Sequence, residues 1–228
     1  MTAPKAEESA DQLLAMAAHD LRAPLRQLAL RLAMLERRCA ADLSAAAQEE
    51  LAATREDARR LQNMLEGLLA WARGEAAEEP QQMLLAPVVH EVLAELHARL
   101  QERGVDVAVD ISPDLQVVAR PLSLQRILSN LIRNAAEHAG PAPQVRLQTE
   151  VGPGQLEICV ADNGPGIPQA LRERVFAPFE RGDAPRKRPG SGLGLAICAR
   201  LVAAEGGSIK IEEGASGGAL FRVRLPQP

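Results

Sequence analysis

Between Leu14 and Leu35, apolar residues recur at intervals of 4, 3, 4, 3, 4 and 3: Leu14, Ala18, Leu21, Leu25, Leu28, Leu32 and Leu35. This heptad spacing predicts a long amphipathic helix from about residue 11 to about Cys39. The polar residues 1–10 before it are expected to be disordered or frayed. After a short connection, Ala40 to Leu43, Ser44 offers an N-cap. A second seam follows on the same period: Leu51, Thr54, Ala58, Leu61, Leu65, Leu68 and Ala72. Trp71 reads as a packing residue at the end of that helix. The two helices, residues 11–73, pair as an antiparallel hairpin. Each apolar stripe is too wide for one partner to cover, so two hairpins are expected to close a four-helix bundle in a homodimer.

The pattern then changes. Residues 74–82 contain Gly74-Glu75-Ala76-Ala77-Glu78-Glu79-Pro80, a small, acidic, proline-ended stretch that reads as a linker. Residues 83–228 alternate helix and strand. Pro87 opens a helix running to about Arg103, with Gly104 as its stop. Val105, Val107, Val109 and Ile111 alternate as a strand, and Leu115–Ala119 is its expected hairpin partner. Pro121–Ala139 is a helix with Leu124, Ile127, Leu128, Leu131 and Ala135 on one face. Strands Gln144–Val151 and Leu156–Ala161 flank the turn Gly152-Pro153-Gly154. A helix at Leu193–Glu205 and strands at Ser208–Glu212 and Ala219–Leu225 close the chain. The expected class is α+β: a helical hairpin followed by an α/β sandwich.

Composition narrows the function. A net charge of -4 gives no general pull toward nucleic acid or anionic membrane. With three Phe, one Trp and no Tyr, stacking platforms for single-stranded nucleic acid are not expected. Cys39, Cys159 and Cys198 are far apart and form neither a C-x-x-C pair nor a disulfide framework, which fits a reducing compartment. No uncharged apolar run approaches the ~18 residues of a membrane span. Residues 1–10 lack an apolar signal core. The expected location is cytoplasmic, with no room before His19 for a sensory domain.

Four stretches carry candidate chemistry. His19 lies one residue off the first seam, about 100° round the helix, and is expected to face solvent beside the bundle. Asp20 adjoins it, and Pro24 should bend the helix one turn later. Asn130 and Asn134 stand four apart, opposite the apolar stripe of their helix. An amide oxygen is a hard ligand suited to Mg²⁺; taken alone, the pair reads as two solvated asparagines. Asp162-Asn163-Gly164-Pro165-Gly166 directly follows a strand, where a carboxylate can accept a hydrogen bond from an exocyclic amine such as that of adenine. An ordinary Gly/Pro loop is the plainer reading. Gly190-Ser191-Gly192-Leu193-Gly194 runs into a helix, as phosphate cradles do. It is neither a P-loop nor a Rossmann fingerprint. Between these last two, Phe176 to Arg181 and the run Arg186-Lys187-Arg188 read as a mobile lid whose cations could neutralise phosphates, or as a solvated loop.

In this order and at these spacings, the set resembles the sensor histidine kinases of two-component signalling, over about residues 11 to 226. It is similar both to their dimerisation and phosphoacceptor domain and to their GHKL-type ATP-binding domain, an α/β sandwich of the Bergerat type. Gly218-Ala219-Leu220-Phe221 to Leu225-Pro226 also resembles that family's C-terminal signature. The resemblance implies that His19 accepts the γ-phosphoryl group on a ring nitrogen and that Asp20 acts as general base at the other. Chemistry agrees, because imidazole must be neutral to attack. It further implies Mg²⁺ at Asn134, phosphates beside Asn130, and the adenine amine at Asp162 in a pocket shaped by Gly164 and Gly166. Gly190, Ser191, Gly192, Leu193 and Gly194 would bind phosphates under a lid containing Phe179 and Arg181. The implied cofactors are ATP and Mg²⁺. The implied partners are a second copy through the hairpin, an aspartate on the receiver domain of a separate response regulator, and a separate sensor or upstream partner. No nucleic acid and no direct membrane insertion are expected.

Two positions depart from the family. Ala23 stands four residues after His19, where Thr or Asn often positions water, so weak phosphatase activity is expected. Glu137 stands three after Asn134, where a basic residue is usual; Arg133 or the lid cations are candidate substitutes. The main alternative is a histidine phosphotransfer or scaffold protein with a degenerate nucleotide site, which only Glu137 favours. An ATPase of the gyrase or chaperone style would need a glutamate where Asn130 stands, and it would leave His19 idle, as would a serine kinase. The chain is expected to be either a fragment of a longer sensor kinase or a cytosolic kinase driven by a partner.

Overall fold

The computed structural model describes residues 4–39, 43–44, 46–55, 57–58, 61, 65, 78–178, 180 and 192–227; side chains are described from Leu21 onward, Arg22 excepted. The chain divides into two compact units. Met1–Gly74 belongs to one, and Glu75–Gly182 with Gly194–Pro228 forms the other.

In the first unit, helix α1 spans Pro4–Cys39 and continues across Pro24. It starts about seven residues before the expected position; a proline in the first turn loses no helical hydrogen bond, so Pro4 can open it. The expected disorder of residues 1–10 is corrected to that extent. The backbone amide of Ala47 donates to Ser44 Oγ at 3.3 Å, the N-cap bond that starts helix α2, whose described residues lie between 46 and 65. An ion pair between Arg55 and Glu36 ties α2 back to α1, as an antiparallel hairpin requires. Ala58 and Leu65 are buried within the single chain, whereas Leu21, Leu28, Leu35 and Leu61 on the two seams are 44–54% exposed. Leu68, Trp71 and Ala72 lie outside the described residues.

The second unit is a sandwich. Its main sheet has strand order β2-β4-β5-β7-β6: β2 Asp106–Asp110, β4 Gln144–Gly152, β5 Gln155–Asp162, β6 Ser208–Glu213 and β7 Ala219–Pro226. Three helices cover one face: α3 Leu85–Glu102, α4 Pro121–His138 and α5 Gly194–Ala204. Period-two alternation sends Leu156, Ile158 and Val160 of β5 and Phe221, Val223 and Leu225 of β7 into the core. Leu124, Ile127, Leu128 and Leu131 of α4 meet them there, each at most 1% exposed. Each such side chain stabilises the fold by about 1.5–3 kcal/mol.

The opposite sheet face is polar. Arg222 of β7 reaches Glu150 of β4 and Glu212 of β6, each at 3.2 Å, and Glu157 of β5; Arg224 also pairs with Glu157. The register sets Glu150 directly opposite Glu157, and the arginines compensate that like-charge pair. They hold the Glu157 carboxyl below its ordinary value.

The expected β2–β3 hairpin is not formed. Strand β3, Gln116–Ala119, pairs antiparallel with β1, Gln81–Leu84, in a separate two-stranded sheet. Strand β2 instead pairs in parallel with β4, with α4 in the crossover between them. Val117 and Ala119 of β3 are fully buried, but Val109 of β2 is 40% exposed, so β2 is an edge strand rather than half of a buried hairpin. Strand β1 also begins inside the stretch expected to be linker.

Candidate nucleotide site

Asp162 ends β5 and continues its inward series, which is why a carboxylate is only 5% exposed. One oxygen, Oδ1, accepts the amides of Gly164 at 2.8 Å and Ala219 at 3.3 Å. Among the described residues, Oδ2 accepts none. Burial pushes the Asp162 carboxyl above its ordinary value; the two amides and the charge on His138 pull it partly back. A half-satisfied buried acceptor fits an amine donor from a ligand.

The glycines around it are required by space. A Cβ on Gly164 would lie 2.1 Å from the carbonyl oxygen of His138, and one on Gly218 would lie 2.0 Å from that of Asp162. Gly166 has φ +72, and a Cβ there would lie 2.8 Å from the carbonyl of Gly217.

The row Asn130, Asn134 and His138 recurs every fourth residue along one face of α4. Its His138 end backs the Gly164 turn. Its Asn130 end faces the start of α5, where a Cβ on Gly194 would lie 3.5 Å from Asn130 Oδ1. Eight residues of helix make the row about 12 Å long, from the Asp162 carboxylate to the amides that open α5. Asn130 is held: its oxygen accepts from Arg133, and its side chain also meets the buried thiol of Cys198, which burial pushes up to about 12. The Asn134 side chain has no hydrogen bond among the described residues. That leaves a neutral, hard oxygen, the donor type Mg²⁺ prefers.

Gly192 has φ +70, a conformation suited to glycine. Leu193 is 2% exposed. Phe179, Arg181, Gly190 and Ser191 lie outside the described residues, as does the run Arg186–Arg188. His19 and Asp20 are placed in α1 by their backbone; their side chains, and hence the expected solvent-facing orientation, lie outside the described residues.

Three contacts around the site were not foreseen from the sequence. Gly218 and Ala219 reach Asp162 from β7, across the register of two strands. Asn163 accepts the amides of Gly140 at 3.3 Å and Gln144 at 2.9 Å and donates to the carbonyl of Ala142 at 2.7 Å, stapling the α4–β4 loop to the turn. Arg133 bonds Asn130, so it acts as a holder of that side chain. Gly218-Ala219, Asn163 and Arg133 each stood out in the sequence, but nothing local showed these pairings.

Residues 9–77 match the family described as the His Kinase A phospho-acceptor domain, and residues 119–228 match the histidine kinase-, DNA gyrase B- and HSP90-like ATPase family. The chain belongs to the sensor histidine kinases. It is 32% identical over 222 residues to the adaptive-response sensory kinase SasA of Synechococcus sp. (strain JA-3-3Ab), covering 95% of this chain and 59% of that protein. It is 32% identical over 232 residues to the sensor protein KdpD of Escherichia coli (strain K12), covering 97% of this chain and 25% of that one. The crystal structure of full-length ShkA in complex with AMPPNP superposes with TM-score 0.73 at 30% identity, over 94% of this chain and 45% of that one. This histidine kinase chain therefore spans between a quarter and three fifths of the length of these relatives. No helix among the described residues is long and apolar enough to cross a membrane.

Proposed function

We propose that the chain is an ATP-dependent protein-histidine kinase that phosphorylates its own His19 and passes the phosphoryl group to an aspartate of a separate response regulator. One observation carries the nucleotide half of this reading. A buried carboxylate with an open oxygen stands at one end of the Asn134 row, and a glycine-opened helix stands at the other. That order suits adenine at Asp162, within the walls of Gly164 and Gly166, and phosphates toward Asn130 and the stretch Gly190–Gly194. Phe179 and Arg181 complete the proposed set as part of the lid.

Asn134 fits Mg²⁺ through its unengaged amide oxygen, and bound there the ion would neutralise phosphate charge. His19 attacks the γ-phosphorus as neutral imidazole, the bond from that phosphorus to the bridging oxygen breaks so that ADP leaves, and Asp20 takes the proton from the other ring nitrogen. Phosphoryl transfer rests mainly on positioning and charge neutralisation, which suits separate phosphoacceptor and nucleotide units.

The exposed seam of Leu21, Leu28, Leu35 and Leu61 supports a homodimer through the hairpin. A receiver domain is the acceptor partner, a separate sensor or upstream partner supplies the signal, and the setting is cytoplasmic. Ala23, which is exposed on α1, carries no hydroxyl or amide to orient water, so phosphatase activity is weak. The assembled Asp162 pocket weighs against a degenerate nucleotide site.

The test compares γ- and α-labelled ATP in Mg²⁺. A kinase retains the γ label on protein and not the α label. Free labelled phosphate without protein label would favour an ATPase, and absence of ATP binding would favour a phosphotransfer scaffold.

A further inference from the structure

Glu78, three residues before β1, is tied down twice. Its carbonyl accepts Nε–H of Arg120 at 2.9 Å, and its Oε2 accepts the amide of Leu122 at 3.0 Å. Arg120 is the N-cap residue of α4. Its guanidinium also donates to the carbonyl of Ala204, which ends α5, at 3.2 Å, and to Glu205 Oε1 at 3.3 Å. Glu205 Oε2 in turn accepts the amide of Arg120 at 3.2 Å, and the Glu205 side chain is 2% exposed. The charges match the helix ends they touch: carboxylates at the start of α4, a cation at the end of α5. The entering chain is thus fastened to the far ends of the two helices that carry Asn130, Asn134 and Gly194. Nothing in the nucleotide chemistry uses these groups.

Resting on the histidine kinase reading, we infer that Glu78, Arg120 and Glu205 form a latch that fixes the length of chain between the phosphoacceptor and nucleotide units, and through it the rate of phosphoryl transfer. They are positioning residues and touch no substrate. With the latch closed, three residues, 75–77, lie between Gly74 and the anchor. With it open, six residues, 75–80, lie between Gly74 and β1. Doubling a spacer lowers the effective concentration of one unit at the other about threefold, by the −3/2 power of length.

The test uses the whole chain and two variants. Glu78→Ala removes a carboxylate near the surface and leaves the core intact. Arg120→Met with Glu205→Met replaces a buried ion pair by apolar groups of similar volume, a change that preserves folding better than loss of one partner. Three quantities are read in each: amide exchange at Leu122, affinity for a non-hydrolysable ATP analogue, and the autophosphorylation rate at saturating Mg²⁺ and ATP. The latch predicts faster exchange at Leu122, nucleotide affinity within about twofold of the parent, and a rate about threefold lower. A rate unchanged despite a released Leu122 amide overturns the inference, as does exchange unaltered in Glu78→Ala. Affinity and rate falling together would mark general damage to the nucleotide unit and also overturn it. If the parent chain takes up no label, the kinase reading fails on its own, and the exchange arm still decides whether the latch holds.

Discussion

Replacing Asp162 by Asn separates the ligand-reading oxygen from the structural one. Oδ1 accepts the amides of Gly164 and Ala219, and the asparagine oxygen takes over both bonds with the same shape. Oδ2, open among the described residues, becomes an NH₂ that donates where adenine also donates. The lost charge-assisted hydrogen bond is worth about 1.5–3 kcal/mol, so ATP affinity should fall roughly 10- to 150-fold. Hypoxanthine presents an oxygen where adenine presents its amine, so the preference for ATP over ITP should shrink by at least about tenfold. Stability should move the other way. Burial raises the Asp162 carboxyl above its ordinary value of 3.8, so the folded chain holds that proton more tightly than the unfolded chain does. Its stability contribution is then full below the ordinary value and is lost as pH rises through the folded one. Urea unfolding should therefore find Asp162→Asn as stable as the parent near pH 3, and at least as stable at neutral pH, with the difference opening as pH rises. Unchanged ATP affinity in a folded variant would refute Asp162 as the reader of the amine. A variant less stable at neutral pH than the parent would refute the account of its burial.

Three further outcomes follow from the same structure. Gly218→Ala puts a Cβ 2.0 Å from the Asp162 carbonyl oxygen and 2.7 Å from its carboxylate, so it should cost about 2–4 kcal/mol in denaturant titrations and weaken ATP binding, since backbone must move. Arg222→Gln takes one cation from Glu157, which keeps Arg224, and one from Glu212, which keeps Lys210; with those partners Arg222 holds both carboxyls below their ordinary value of 4.5. Depressed carboxyls stabilise above that value and lose the effect as pH falls through the folded one, so the variant's lower Tm at neutral pH should converge on the parent's in acid. Leu28→Glu with Leu35→Glu places charge on leucines that are 44% and 49% exposed in the single chain; light scattering should show a dimer become a monomer with ATP affinity unchanged.

The sequence was most legible where periodicity and punctuation agreed. Leu124, Ile127, Leu128 and Leu131 announced the buried face of α4, and Pro121 its start. The alternation in β5 and β7 marked both strands to within a residue at each end. Asp162, Gly164 and Gly166 drew notice as a carboxylate and glycines directly after a strand, and Asn134 as a helix residue four after Asn130, a pair that became a candidate only beside the other boxes. Pairing was not legible. Val105 to Ala119 looks like a hairpin locally, and only the return of Gln81–Leu84, forty residues earlier or less, settles which edge β3 takes. Contacts made across strands were equally hidden: the Ala219 amide on Asp162 spans 57 residues, and the Arg120–Glu205 pair spans 85. Nor does an isolated Glu78 in an acidic stretch show that it is anchored; its partners become neighbours only once α4 and α5 pack.

The central claim is tested most directly by incubating the chain with γ-labelled ATP and Mg²⁺ beside its His19→Gln variant. A phosphohistidine at position 19 predicts base-stable, acid-labile label on the parent chain and none on the variant, with equal ATP affinity in both, because His19 lies in one unit and Asn130, Asn134 and Asp162 lie in the other. Equal labelling of both chains, or acid-stable label, would contradict a phosphohistidine at position 19.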